Sequence, residues 1–342
     1  MMLITGGAGF FGRHLSEALM GCGRKVRILD VQEIDDPVFR RRVEFIKGDV
    51  RDRAAVKRAM QEVKIVYHNA AVLPIAKAGE KYFEINVGGT QTVLETAKEC
   101  GVQKVIYISS SAVYGVPREL PLTENSPFAP FETYGRSKRE AEKICEKVRR
   151  EGLNISILRP RTIVGPGRLG IFSILFDWLR DGKKIYLFGK GDNLFQFLDS
   201  RDLTEACLLL EEEGHFEDFN VGAKEYGTYR EAIETLIDRA RTGSRIVSLN
   251  ARFGRLSLRL LDRLRLSPLV PWHYETIDKP FYFDTAKAER LLGWRPRHGN
   301  NRMLVDNYEW FLKNRQTAGV KFGLTHNKLL KQYALKILKY IS

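Results

Sequence analysis

Met2-Leu3-Ile4-Thr5-Gly6-Gly7-Ala8-Gly9-Phe10-Phe11-Gly12 stands at the start of this 342-residue chain and decides how the rest is read. A short apolar strand passes through a glycine turn into a helix. Gly6 permits the tight turn, and Gly9 lets backbone N–H groups approach a pyrophosphate. Gly12 lets the new helix lie close on the sheet, and the N-terminus of that helix offers partial positive charge to phosphates. A second apolar run, Val26-Arg27-Ile28-Leu29, ends in Asp30. That is about twenty residues on, where a carboxylate can accept hydrogen bonds from an adenosine ribose. No Arg or Lys follows Asp30 directly, which favours NAD over NADP, although Arg13 beside the glycines can meet a 2′-phosphate.

The rhythm begun there continues. Candidate strands at 2–5, 25–30, 43–47, 64–68, 103–108 and 153–159 are short and rich in Val, Ile and Leu, as strands buried on both faces should be. Candidate helices at 10–22, 52–61, 80–100 and 134–151 alternate with them, predicting an α/β fold with a Rossmann-type doubly wound parallel sheet over residues 1–160. Beyond Pro160 glycine and proline loops break the rhythm. Residues 161–315 read as a smaller, interleaved substrate-binding region, with some segments returning to the first, and 316–342 as a basic extension.

Bulk properties exclude several classes. Net charge is +14, from 56 basic and 42 acidic residues, but the excess is local. Residues 313–342 carry seven Lys or Arg and no acid, and residues 252–265 carry five arginines against Asp262. No nucleic-acid motif accompanies either patch, so no nucleic-acid partner is expected. Cys22, Cys100, Cys145 and Cys207 are widely spaced and read as small core residues of a reduced, cytoplasmic protein. The first strand begins at once, leaving no room for a leader, and no run approaches the roughly 18 apolar residues of a membrane span. No metal-ligand set is visible.

Chemistry gathers at Tyr134-Gly135-Arg136-Ser137-Lys138, whose tyrosine and lysine share one helix face at i and i+4. A cation beside a phenol favours the phenolate, so Tyr134 is expected to work as acid or base toward a hydroxyl with its pKa lowered. Ser109-Ser110-Ser111 follows the strand near 103–108, at the end where ligands bind in open parallel sheets. His68 ends a buried strand and reads as structural.

Taken in order, these motifs make the chain resemble the extended short-chain dehydrogenases, specifically the NAD-dependent epimerase/dehydratase family. The resemblance rests on Gly6/Gly9/Gly12, Asp30, Gly48-Asp49-Val50, His68-Asn69-Ala70-Ala71, Asn86-Val87-Gly88-Gly89-Thr90, Ser109–Gly115, Tyr134/Lys138 and Leu158-Arg159-Pro160. Phe283-Asp284-Thr285-Ala286-Lys287-Ala288 and Leu292-Gly293-Trp294-Arg295-Pro296 extend it to about Lys313. It implies that Tyr134, Lys138 and Ser110 are catalytic: Tyr134 as base, Lys138 holding the nicotinamide ribose, and Ser110 bonding the reacting oxygen. It further implies an NAD site built from Gly6, Gly9, Phe10, Phe11, Gly12, Asp30, Asp49, Val50, Ala70, Ala71, Asn86, Ser109 and Pro160, with Tyr134 and Lys138. Asp49 and Val50 would border the adenine.

The expected activity is epimerisation of a nucleotide-activated sugar through a keto intermediate. The alternative is a dehydrogenase or reductase of a sterol-like or other apolar alcohol. Ser111 and Ala112 stand where family dehydratases carry an acid, which disfavours sugar dehydration. Gln196, between Phe195 and Phe197, replaces an arginine usual in sugar-nucleotide members, leaving Ser111, Arg161, Arg168 and Arg295 as candidate substrate contacts. Family resemblance also suggests a homodimer through the helices near 80–100 and 134–151.

Past residue 320 the resemblance ends. Leu330, Tyr333, Ala334, Ile337, Leu338 and Ile341 form an apolar stripe at helical spacing, flanked by Lys328, Lys331, Lys336 and Lys339. The favoured expectation is a helix packed on its own subunit with a solvated lysine face. The sharper one is peripheral membrane contact through 328–342, aided by Arg252, Arg255, Arg259 and Arg263.

Overall fold

A computed structural model describes residues 1–211, 214, 216–314, 329 and 331–341. Its centre is a seven-stranded, all-parallel sheet. The strands are β1 (Met2–Thr5), β2 (Val26–Asp30), β3 (Glu44–Lys47), β4 (Ile65–His68), β5 (Lys104–Ile108), β6 (Ile155–Pro160) and, after three short strands elsewhere, β10 (Asp218–Val221). Their order is β10-β6-β5-β4-β1-β2-β3, so the direction of winding reverses beside β1, the position at which ligands lodge in such sheets. All six strands expected from sequence are present within two residues.

Both faces are covered. Phe10–Gly21 and Ser200–Leu209 pack Leu15, Leu19, Leu203 and Cys207 against one side. Arg53–Ala59, Gly89–Glu99 and Thr133–Arg150 pack Val56, Val93, Ala141 and Cys145 against the other. Each fully buried leucine contributes about 1.5–3 kcal/mol by leaving water. Cys145 and Cys207 are core residues as expected, but Cys22 is exposed, because it caps the end of the first helix rather than facing the sheet.

The seventh strand was not legible before the structure. Four residues, Asp218–Val221, pair with Ile157–Pro160 and carry no glycine signal of their own. The junction is held by Arg159, fully buried, whose guanidinium donates to both oxygens of Glu142 (2.9 and 3.0 Å) and to Asp218 (2.9 Å). The expected helix at 80–100 is also interrupted. It runs Lys81–Phe83, opens into a π turn at Glu84–Gly88, and resumes at Gly89–Glu99. Where the helix resumes, Gly89 lies against Val50, and a Cβ there would be 2.6 Å from Val50 Cγ2.

The remaining strands are β7 (Thr162–Val164), paired with β9 (Phe197–Asp199), and β8 (Ile185–Phe188), paired with β11 (Ile246–Leu249). Around them the helices Phe172–Arg180, Tyr229–Ala240 and Asn300–Asn314 enclose a separate cluster containing Phe176, Leu236, Tyr308 and Phe311.

Candidate active site

A cavity of about 1000 Å³ runs from the glycine turn, past Tyr134, to the helices Ala251–Arg263 and Ala334–Ile341. At its first end Gly6 has φ +71°, and a Cβ there would sit 2.8 Å from Ala70 Cα. A Cβ on Gly12 would sit 2.5 Å from Gly6 O. Both glycines are therefore demanded by the packing of strand, turn and helix. Gly9 differs: a Cβ there would meet only Gly6 O, at 3.4 Å, and the residue lines the cavity. Asp30 closes the turn, accepting from Ala8 N (3.0 Å) and Gln32 N (2.9 Å), while burial raises its pKa. Arg13 is engaged by Glu17 and Asp36 and is thereby committed to carboxylates. Asp49, held low chiefly by its hydrogen bonds with Arg51, and Val50 line the same end.

Midway, Glu132 caps the helix Thr133–Arg150 by accepting from Tyr134 N and Gly135 N at 2.8 and 2.6 Å. This fixes Tyr134 in the cavity wall, its phenol near the Ser110 hydroxyl. Burial pushes that phenol up to about 12. The nearby Ser110 hydroxyl opposes this, Glu132 and Tyr82 add to it, and the cation that draws it back is Arg168. The expectation of a phenol lowered by Lys138 is therefore corrected. Lys138 does share the helix face, but its Nζ donates to Ile108 O at the end of β5 (2.7 Å) and lies 4.4 Å from the Tyr107 ring. Burial lowers the ammonium to about 8. One N–H serves Ile108, and the residue lines the cavity, so the remaining donors suit a ribose hydroxyl.

At the second end two buried arginines lack carboxylate partners among the described residues. Arg161 donates to Gln196 O (3.1 Å) and Ser111 Oγ (3.0 Å) and lies 3.8 Å from the Phe281 ring, while its Nη2 has no partner. Arg168 leaves Nε and Nη1 unpartnered. Burial lowers both guanidiniums to about 9. The carboxylates lining the cavity, Asp30 and Asp49, belong to the glycine end. Around the arginines the wall is apolar, including Ile171, Leu175, Trp178, Leu187, Leu258 and Trp272. An unpaired buried guanidinium is costly, so this geometry suits an anionic group on an otherwise apolar ligand.

Comparison with known proteins agrees with the fold. Residues 2–222 match the model of the NAD dependent epimerase/dehydratase family. The chain belongs to that family. It is 41% identical over 340 residues to the uncharacterized protein y4nG of Sinorhizobium fredii, covering 99% of this chain and 85% of that protein. It is 30% identical over 316 residues to the mouse (Mus musculus) sterol-4-alpha-carboxylate 3-dehydrogenase, decarboxylating, covering 86% of each. Among solved structures, UDP-glucuronic acid 4-epimerase from Bacillus cereus, in complex with UDP-glucuronic acid and NAD, superposes with a TM-score of 0.75 at 25% identity, covering 91% of this chain and 99% of that one. The family is NAD-dependent, and NAD is the cofactor.

The residues present fit that cofactor. The open side of Gly9, the Asp30 carboxylate and the free donors of Lys138 all lie on one cavity, along with Gly6, Phe10, Phe11, Asp49, Val50, Ala70, Ala71, Ser109 and Pro160. Two expected contacts sit elsewhere. Gly12 lies beneath the loop, against Gly6 and Gly7. Asn86 is a buried strut that accepts from Val72 N (2.8 Å) and donates to Ser137 Oγ (2.9 Å), setting the turn after Ala71. Of the substrate candidates, Ser111, Arg161 and Arg168 line the cavity, whereas Arg295 is exposed outside it, since the adjacent Trp294 turns into the core. His68 is structural, bonded to Thr5 (2.7 Å) and Thr90 (2.9 Å), with burial lowering it to about 3. Sequence reasoning missed Tyr229, Trp272 and His273 in the lining. The signal for the far wall was the helical spacing of Phe253, Leu258 and Leu261, set among arginines that suggest only a basic patch.

Proposed function

We propose that this protein is an NAD-dependent dehydrogenase that oxidises a secondary alcohol on an amphiphilic substrate, one with an apolar body and an anionic group near the carbinol. The observation that carries this reading is the pairing of orphaned Arg161 and Arg168 with the apolar chamber beyond Tyr134. Tyr134 acts as the base in its phenolate form, having first released its own proton against the burial that raises its pKa. Arg168 is the cation that favours that form, and Ser110, on the same cavity wall, bonds the reacting oxygen. NAD, when bound, supplies the hydride acceptor, so the carbinol C–H and O–H bonds give way to C=O. Lys138 holds the ribose side of the site, and Arg168 places positive charge beside both the phenol and the anion. The sterol-carboxylate relative acts on a substrate of this general kind, by its name.

Nucleotide-sugar epimerisation is the second reading. It is favoured by the solved epimerase bound to UDP-glucuronic acid, and by the suitability of two arginines for a diphosphate. Incubation with NAD and a panel of secondary alcohols separates the two. The first reading expects NADH from an apolar carbinol bearing a carboxylate or phosphate. Interconversion of UDP-sugars without net NADH, with apolar alcohols inert, would establish the second reading instead.

A further inference from the structure

The helix Ala251–Arg263 carries one broad apolar face, part of it cavity wall and part of it exposed. Inward, Gly254, Leu258 and Leu261 line the cavity, and a Cβ on Gly254 would collide with the Phe188 ring at 2.6 Å. Toward solvent, Leu256, Leu260 and Leu264 recur at four-residue spacing and are 65, 58 and 56% exposed, while Phe253, 68% exposed, stands at the edge of the cavity. Arg252, Arg259 and Arg263 flank that face and are exposed. Arg252 and Arg263 make no ion pair among the described residues, whereas Arg259 bonds Glu275.

The ridge continues onto the C-terminal helix. Ala334 N donates to Leu266 O (3.1 Å), which brings Ala334–Ile341 alongside. Here the expectation from sequence is corrected. Tyr333 has φ +46° and stands outside the helix, so the stripe is broken. Lys339 is turned inward onto Asp177 and Asp181, while Leu335 and Leu338 line the cavity. What faces out is Ile337 and Tyr340, 68 and 74% exposed, beside exposed Lys336. Lys328 and Leu330 lie outside the described residues, as does the Ile341 side chain.

We propose that this outer face, from Phe253 to Leu264 and on to Ile337 and Tyr340, seats in the interfacial plane of an anionic lipid bilayer. Charge decides the occupant. Arginines interleaved with exposed leucines match anionic headgroups above acyl chains, whereas a second copy of the same cationic face would repel it. No helix of the described residues is long and apolar enough to cross a membrane, so the contact lies along the surface. The helix Ala251–Arg263 then forms a single-layer wall between bilayer and cavity. That this wall admits an apolar substrate rests on the dehydrogenase reading above; the docking itself does not.

Flotation of the full chain with vesicles tests it. The protein should rise with phosphatidylcholine vesicles containing phosphatidylglycerol, and rise less as salt is added. Arg252→Gln/Arg263→Gln should weaken binding about 30-fold, at about 1 kcal/mol per arginine. Leu256→Gln/Leu260→Gln, which touches no cavity residue, should weaken it by about tenfold or more. Tyr134→Phe should float as the wild type does while losing turnover, so failure of the chemical reading leaves this readout intact. A wild-type chain that does not rise with these vesicles overturns the proposal. So does a leucine variant that only converts a dimer into monomers.

Discussion

The two ends of the cavity are built on different principles. The glycine end is local: eleven consecutive residues and one aspartate produce a rigid turn whose contacts are backbone to backbone or backbone to carboxylate. The arginine end is assembled from side chains delivered by β5, β6, β8, the helix Phe172–Arg180 and two amphipathic helices far along the chain. A shared cofactor needs only the first kind of construction. A particular substrate needs the second, and there the family's members are free to differ.

The largest effect should fall where the ends meet. Tyr134→Phe is expected to lower kcat by about 10²–10⁴-fold while leaving NAD affinity within a factor of about two, measured by turnover and by cofactor titration. Equal loss of both would mean that the phenol supports the cofactor rather than the proton transfer.

The arginine end can be broken separately. Arg161→Met or Arg168→Met should raise KM for an anionic amphiphile about 10- to 100-fold, the loss of one charged hydrogen bond or two. Because neither guanidinium has a carboxylate partner, melting temperature should hold or rise. A fall in stability would show that the arginines hold the chamber together instead.

The glycine end offers a matched pair. Gly12→Ala forces a Cβ against Gly6 O and should destabilise the fold by about 1–3 kcal/mol in denaturant melts. Gly9→Ala should leave the melt nearly unchanged while weakening NAD binding, because its open side is the cavity.

The smallest effect is a pH trend. His68 is held neutral, with burial lowering it from 6.5 to about 3. Between those values the unfolded chain binds the extra proton, so stability is full above about pH 6.5 and falls as pH drops, by up to about 1.4 kcal/mol per unit. Thermal melts from pH 7 to pH 5 follow this, and His68→Gln should flatten the trend.

How much of this was legible follows from the same division. Gly6, Gly9, Gly12 and Asp30 could be read because a turn and its partner strand lie within one short stretch. Tyr134 and Ser110 could be paired because each sits at the end of a regular element. The orientation of Lys138 could not. Helical periodicity gives the face, but the carbonyl that captures the ammonium belongs to β5. Arg295 looked available because the core position of Trp294, which sends its neighbour outward, is a tertiary fact. The far wall was missed for a related reason: the amphipathic spacing through 251–263 gives a helix with one broad apolar face, but which part of that face meets a cavity is set by tertiary packing, and its basic residues dominated the reading.

The Arg159–Glu142–Asp218 junction has a consequence for how the molecule is made. Asp218 follows Arg159 by 59 residues, so on a ribosome β6 emerges as an open sheet edge beside a cation still lacking one of its acids. The nucleotide-binding half therefore stays unfinished until a later stretch of the polypeptide has been synthesised and has returned to it.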